Sequence, residues 1–548
     1  VDLAADDRRA AGPAERPVRA GGVMIERAVY RTVERIEHPA GRRVAETVAR
    51  LALENWFYAL VLLLLWRFPH IVADLSGSEV SPRRPTGDSV FWQSVMAQTL
   101  LLACLAMSYN LLFGFSGVIS FGHALYFGVG GYATFLLMNE YEPGARWPVV
   151  VGVVVVVVAL GLLLKIPLRR LALVAVLIAA LLIALLPSGR VSVYQGIGVA
   201  VLISIALSLL SGAVTLRLRG VYFAMFTLAL AEVFWVLAKS GTFHYLTGAE
   251  DGLPFRDLIP DALNPTTTAT GNRLQMYRVT VIFFAVVFLA IRRYVNSPVG
   301  RVIVSVRENE QRARTIGYNV FHYKLLTMVF AGALATLTGI LFVLWGSAKR
   351  VDPSLLSLNY TVEPLLMTLI GGVGTLTGPV VASLGLELGR TYLREETFTL
   401  GTRLFGLLTI WQLLWMAGFA LFFYVFRRGL RRVVAQVVGE PRRVSLVSAA
   451  LVVAVLVSVA VASQAAYAET DLDATIYQVA DLWNLFQGVM VIVAVMLLPH
   501  GIVGTWNRWW YGRRLRRQER DAARAAQAAP SAPVSGVAPF EQEPEVRG

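Results

Sequence analysis

The polar residues best suited to chemistry lie inside apolar sequence. From Ser108 to Met138 the chain carries Asn110, Ser116, Ser120 and His123 among Gly114, Gly117, Gly122, Gly128, Gly130 and Gly131. A carboxamide, hydroxyls and an imidazole can hydrogen-bond a solute or relay a proton, whereas an unpaired polar group in hydrocarbon costs several kcal/mol. Such a stretch must be enclosed by protein or border a wet path. Glycine weakens a helix by roughly 1 kcal/mol relative to Ala and is kept in membranes where two backbones approach closely. For any one of these residues the plainer reading is packing with a satisfied His; the run as a whole argues for a path. Glu232, Glu363 and Glu387 are the other ionisable groups in apolar segments. Such groups are functional candidates, with a protonated Glu bonded to a neighbouring helix as the alternative.

Enzymatic chemistry has little support. Six His and the single Cys104 supply no paired metal-ligand spacing and no disulfide within the chain. No Gly-Lys pair occurs, so a phosphate-cradling Walker loop is absent and any ATP must be hydrolysed by another chain. Gly372-Val373-Gly374 with Gly378 sits in an apolar segment, where it reads as packing or re-entry rather than a nucleotide fingerprint. The Thr247–Pro254 stretch, with Glu250 and Asp251 between glycines, offers no ligand set and reads as a turn near a pathway mouth, suited to docking a binding protein. No cofactor and no metal are expected.

The elements that must position these residues are membrane helices. The chain has 548 residues, 56% hydrophobic and 16% charged, with a mean hydropathy of +0.60. Its net charge of +14 raises nucleic acid as a partner, but the basic residues flank apolar spans instead of forming one aromatic-interleaved patch. No nucleic-acid partner is expected; membrane lipid is. The fold class expected is an all-α polytopic membrane protein. Apolar windows give roughly twelve spans, at 51–66, 90–113, 118–138, 147–164, 171–186, 191–216, 221–237, 277–291, 323–345, 404–426, 444–466 and 477–498. Residues 1–50 read as a polar, cytoplasmic, partly disordered segment without the apolar core of a cleavable signal, 51–506 as the membrane domain, and 507–548 as a cytoplasmic, partly disordered tail.

Orientation follows from Lys and Arg. The connections at 165–170, 217–219 and 292–324 are basic, whereas those at 139–146 and 239–276 carry Glu140, Glu142, Glu250, Asp251, Asp257 and Asp261. The former are expected inside and the latter outside. The basic 427–443 connection keeps this alternation only if 359–389 enters and leaves by one face. Its Gly371-Gly372-Val373-Gly374-Thr375-Leu376-Thr377-Gly378-Pro379 break supports re-entry. A discontinuous full span is the competing form.

The 296–320 loop is the second anchor. Pro298 suits a helix start, Val302, Val306, Ala313 and Ile316 can form one apolar face, and Gly317 would end the helix. Arg301, Arg307, Arg312 and Arg314 among Glu308 and Glu310 give it a dockable polar surface.

With these residues in view, the chain resembles a LivM-type permease subunit of the ABC importers for branched-chain amino acids. The resemblance rests on Tyr109-Asn-Leu-Leu-Phe-Gly114 with Ser120-Phe-Gly-His-Ala124, on Leu216 to Glu232, on Thr247-Gly-Ala-Glu-Asp-Gly252, and on Arg307-Glu-Asn-Glu310 through Gly317-Tyr-Asn-Val320. The 371–379 and Leu498-Pro-His-Gly-Ile502 stretches extend it. Gln311 and Arg312 depart from it, standing where an acidic and a small residue are usual.

The resemblance implies an inner-membrane permease, not an enzyme, that moves aliphatic amino acids inward, with both termini cytoplasmic. Asn110, Ser120, Gly122, His123, Tyr222, Thr227 and Glu232 would border the substrate pathway. Arg301, Arg307, Glu308, Glu310, Ala313 and Gly317 would couple it to the ATPase. It further implies two ATP-binding subunits, a second permease subunit (a heterodimer over a homodimer) and an extracytoplasmic solute-binding protein. Urea or short amides are the rival cargo, and an ion-coupled secondary transporter the rival mechanism. Residues 171–187 and 390–475 look like additions, the latter a helical insertion.

Overall fold

The computed structural model describes residues 39–77, 88–139, 192–218, 220–255, 272–346 and 349–394, with short pieces at 79–80, within 150–158, at 176–183, within 403–409, and at 501–506 and 510. The chain divides into two compact units, Val1–Gln93 and Ser94–Gly548. Among the described residues six helices are long and apolar enough to cross a membrane. The protein is therefore read as a multi-pass membrane protein.

In the first unit, α1 (Pro39–Ser76) is one helix that continues through Pro69. The helix contains the expected span 51–66; its part with described side chains, Tyr58–Ser76, is long and apolar enough to cross a membrane and exposes Leu60, Leu63, Leu64, Ile71 and Leu75. An apolar helix with Leu on its open face has hydrocarbon as its natural solvent.

The second unit is built on α2 (Asp88–Asn110, of which Ser94 onward belongs here), α3 (His123–Asn139), α4 (Val193–Thr215), α5 (Val221–Lys239), α6 (Asn272–Asn296) and α9 (Val320–Trp345). Two short helices, α7 (Pro298–Glu308) and α8 (Glu310–Thr315), join α6 to α9. Helices α3, α4 and α9 form the centre, each packed on the other two. Small residues let them close: a β-carbon at Gly339 would strike the Phe127 carbonyl, and one at Gly130 the Thr336 carbonyl. Thr336 then donates to the carbonyl of Tyr126 at 2.9 Å and lies 2.6 Å from Ser204 Oγ. Hydroxyls thus tie together three helices whose apolar side chains gain nothing by leaving lipid.

Successive crossings sort the loops onto two faces. The loop holding α7 and α8 and the turn after α2 lie on one face; the ends of α3, α5 and α9 lie on the other. There β1 (Leu253–Pro254) pairs antiparallel with β2 (Arg350–Val351), and Phe255 stacks on Phe135. The glycine-rich segment is a helical hairpin, α10 (Asn359–Gly371) and α11 (Gly378–Arg394). Glu363 near its start meets Arg390 near its end at 3.2 Å, so its two ends share a face and its tip at 372–377 points to the α7–α8 side. The two ends of the segment lie together, the geometry a re-entrant form would have.

Several expectations are corrected. The third span is shorter, because Gly117 turns the chain and residues 118–122 are irregular, with a bend at Phe121, before α3 starts at His123. The 296–320 loop is two helices, because Asn309 (φ −155°) breaks the first and its side chain caps the second at Arg312 N. Ile316 is 68% exposed and leaves the apolar face, which is completed instead by Val320. Of the expected helical insertion at 390–475, the described residues are the end of α11, which continues to Arg394, and Arg403–Leu404, which pairs with Leu408–Thr409. The spans at 444–466 and 477–498 lie outside the described residues, as does most of 404–426. Those at 147–164 and 171–186 are described only in pieces, which meet Leu137 and Val199 in one apolar cluster.

Candidate functional site: a glycine-lined turn and the loop beneath it

The site begins where α2 stops being an ordinary helix. Leu111–Phe115 is a π-helical turn, a form that often marks a functional position. Beyond it the Val118 amide closes on the Leu112 carbonyl at 3.1 Å, which leaves the Gly114 carbonyl available to a side chain. Asn110 is buried and reads the hairpin tip as a backbone strand would: Nδ2 donates to Thr375 O at 2.7 Å and Oδ1 accepts from Gly374 N at 3.0 Å. Only glycine fits at 114, since a β-carbon there would lie 2.5 Å from Gly374 N.

Ser120, Gly122, His123 and Thr227 come together at the start of α3. The first amides of a helix lack intrahelical partners, and here threonines from two other helices supply them. Phe121 N donates to Thr227 Oγ1 at 3.1 Å, and Ala124 N to Thr361 Oγ1 at 2.8 Å. Gly122 N turns back to Ser120 Oγ at 3.3 Å, and a β-carbon at Gly122 would lie 2.7 Å from Thr227 O. The His123 ring is fully buried; its Nε2 lies 2.8 Å from Ser108 Oγ and its faces are bounded by Tyr109 and Tyr126. Among the described residues, His123 Nδ1 and the Tyr109 hydroxyl find no hydrogen-bond partner.

Tyr222 and Glu232 stand apart. Both lie on α5, whose buried face is Phe223, Thr227, Ala231 and Ala238. Tyr222 is 75% exposed on the outward strip with Met225, Val233 and Val236. Glu232 borders that strip half-buried and makes no hydrogen bond or ion pair with the described residues.

The loop beneath the turn is seated by Val302, Val306, Ala313 and Val320. Ser297 caps α7 at Gly300 N, and Pro298 supplies its first residue. Arg301, Glu308 and Arg312 project to solvent, while Arg307 reaches back and donates to Gly114 O. Burial alone would raise the Glu310 carboxyl, but hydrogen bonds and charge from Lys324 (2.8 Å) and Arg314 outweigh it and hold it below the usual carboxylate value. Gly317 ends the loop at φ +96°, the left-handed conformation that favours glycine, with Tyr318 N returning to Ala313 O at 3.1 Å.

Thr361, Gly374 and Thr375 are site residues that sequence reasoning missed as partners of the central stretch. The one signal pointing to them was the glycine-rich break itself.

The family described as "Branched-chain amino acid transport system / permease component" matches over residues 92–189 and 170–397. The chain belongs to this family. Similar proteins are permeases, not enzymes. The high-affinity branched-chain amino acid transport system permease protein LivM of Salmonella typhimurium is 22% identical over 322 residues, 55% of this chain and 63% of that one. LivM of Escherichia coli is 22% identical over 318 residues, 54% of this chain and 62% of that protein. The probable branched-chain amino acid transport permease protein LivM of Methanocaldococcus jannaschii is 25% identical over 287 residues, 50% of this chain and 73% of that protein. The alignments thus span less than two thirds of the two bacterial relatives. No solved structure matches the chain. The matched permease region contains the π-turn, the α7–α8 loop and the glycine hairpin.

Proposed function

We propose that this permease is one membrane half of an importer that carries branched-chain amino acids inward and is driven by separate ATP-hydrolysing subunits. The observation that carries this reading is the α7–α8 loop: its apolar side is seated on the permease, and its outer side presents Arg301, Glu308, Arg312 and Arg314 to solvent as a rigid two-helix surface. A loop made to receive force needs such an anchored underside. The names of the relatives support the cargo, and family membership supports the use of ATPase partners.

In this reading the loop face is cytoplasmic, the protein sits in the inner membrane with both termini inside, and two ATP-binding subunits dock on the paired loops. A second permease subunit covers the outward strip of α5, so that Tyr222 and Glu232 border the pathway between them. An acidic side chain within a span that finds no partner among the described residues suits a wet cavity or the ammonium of a solute rather than lipid. Asn110, Ser120, Gly122, His123 and Thr227 are closed in this conformation and form the wall behind that path. An extracytoplasmic binding protein delivers cargo near 247–254.

The test is leucine uptake into vesicles holding the permease with candidate ATPase and permease subunits and a binding protein from the same organism. The expected result is ATP-dependent uptake, insensitive to an ionophore, unaffected by excess urea or acetamide, and abolished by deleting 308–314. Uptake that persists without the ATPases, or collapses with the ionophore, overturns the reading.

A further inference from the structure

We propose that Arg307 is the tie that makes the loop and the glycine hairpin move as one, with Asn110 as its counterpart on the opposite side of the π-turn. The inference rests on reading the α7–α8 loop as the ATPase-docking element, and concerns what that element pulls.

Three segments distant in sequence meet at this point. Arg307, near the end of α7, donates to the Gly114 carbonyl that the π-turn has freed. The Arg307 stem lies along Gly117, where a β-carbon would stand 3.1 Å from Arg307 Cγ. Its guanidinium lies against Gly374 of the tip, where a β-carbon would meet Arg307 Nη1 and stand 3.0 Å from the Gly114 carbonyl. Asn110 holds the same tip through Gly374 N and Thr375 O. The π-turn is thus bonded to the loop through one side chain and to the hairpin through another, and Gly501 closes on Gly372 from a fourth segment.

Arg307 is itself exposed, and what sets it apart from the other arginines of the loop is that its guanidinium reaches the π-turn and the hairpin tip. Glycine stands at Gly114, Gly117 and Gly374, so the loop, the turn and the tip approach closely at this point. A charge-assisted, partly enclosed hydrogen bond is among the stronger single contacts a loop can make. Displacement of α7 must therefore drag the turn and tip or break the tie. Since the hairpin is packed on α2 through Thr368 and on α3 through Thr361, the tip is where loop motion enters the helices around His123. Arg301 and Arg312, exposed on the same loop, make no such contact with the tip, which makes them controls. Arg307 is a positioning residue in this scheme.

The tie can be tested in the full chain. Cys104 is the single cysteine, so a Cys104→Ala background carrying Leu376→Cys reports tip opening through its rate of labelling by a membrane-impermeant maleimide. Arg307→Gln and Asn110→Ala should each raise that rate by about tenfold, the population change expected on losing a charge-assisted or buried hydrogen bond. Arg301→Gln and Arg312→Gln should leave it unchanged. A parallel reporter at Ala335→Cys, in the buried centre of α9, should stay unlabelled throughout. An unchanged tip rate in Arg307→Gln overturns the proposal, as does a rise at both reporters, which would mean general loss of fold.

The second arm uses the assembled transporter. ATP should alter tip labelling in the parent and not in Arg307→Gln, with the ATPase subunits still co-purifying. If the tip still responds to ATP in Arg307→Gln, the tie is wrong. If the ATPases never bind the parent, the functional reading falls, and the labelling of the chain alone still decides the tie.

Discussion

The hydroxyl of Thr361 on the glycine-rich hairpin accepts the amide hydrogen of Ala124 at 2.8 Å, capping the first turn of the helix that His123 opens. Residues 237 positions apart are joined by a bond that neither helix can make alone. Thr361→Val keeps the shape and removes the acceptor, leaving a buried amide unpaired at about 1–3 kcal/mol. The thermal midpoint in detergent should fall in Thr361→Val and stay near the parent in Thr361→Ser. Equal midpoints would mean that water or another group caps α3.

Glycine is expected to matter by position. Gly339→Ala drives a methyl into the Phe127 carbonyl, whereas Gly385→Ala meets nothing within 4 Å. Overpacking at the first should cost about 1–3 kcal/mol; the second should be neutral. Recovery of monodisperse protein after heating separates the two.

The Glu310 carboxyl is held below its ordinary value, so it contributes stability to the loop that is present above the unfolded pKa of 4.5 and lost as pH falls through the folded value. Glu310→Gln should loosen 310–317 at pH 7, measured by hydrogen exchange against an unstructured peptide standard. The difference from the parent should vanish once the pH is taken well under 4.5. A difference that persists in acid would assign the loop's order to other contacts.

Lys349 behaves in the opposite sense. It is 3% exposed, at φ +49°, with its ammonium on Leu344 O at 2.6 Å. Burial first, and the nearby charge of Arg273 second, bring its pKa down to about 8. The unfolded chain then binds more protons than the folded one between about pH 8 and its model value of 10.5, so stability should rise with pH across that window. Lys349→Met should abolish the rise, as measured by denaturation midpoints at pH 7.5 and 10. A flat profile in the parent would contradict the cause given.

Gly317→Val forces a β-branched residue into φ +96°, costing of order 1–3 kcal/mol of local strain. Insertion and the helical core should survive, while ATP-driven uptake falls. Full uptake would separate the loop's end from coupling.

Much of this was legible in the residues. Apolar runs of bilayer length, with hydroxyls and glycines embedded in them, determine a polytopic membrane fold, because hydrocarbon penalises every unpaired polar group a non-helical span would expose. The Gly371–Gly378 break likewise announces a segment that cannot cross as one helix. Spacing did not show the π-turn after Asn110, the Asn309 break in the loop, or the Thr361 cap on Ala124. These depend on which groups from remote segments arrive to satisfy a freed carbonyl or amide. Arg307 reads in the sequence as one of several equivalent charges on a dockable helix; only the folded chain selects it, by bringing Gly114, Gly117 and Gly374 close enough that a single guanidinium fills the space they leave.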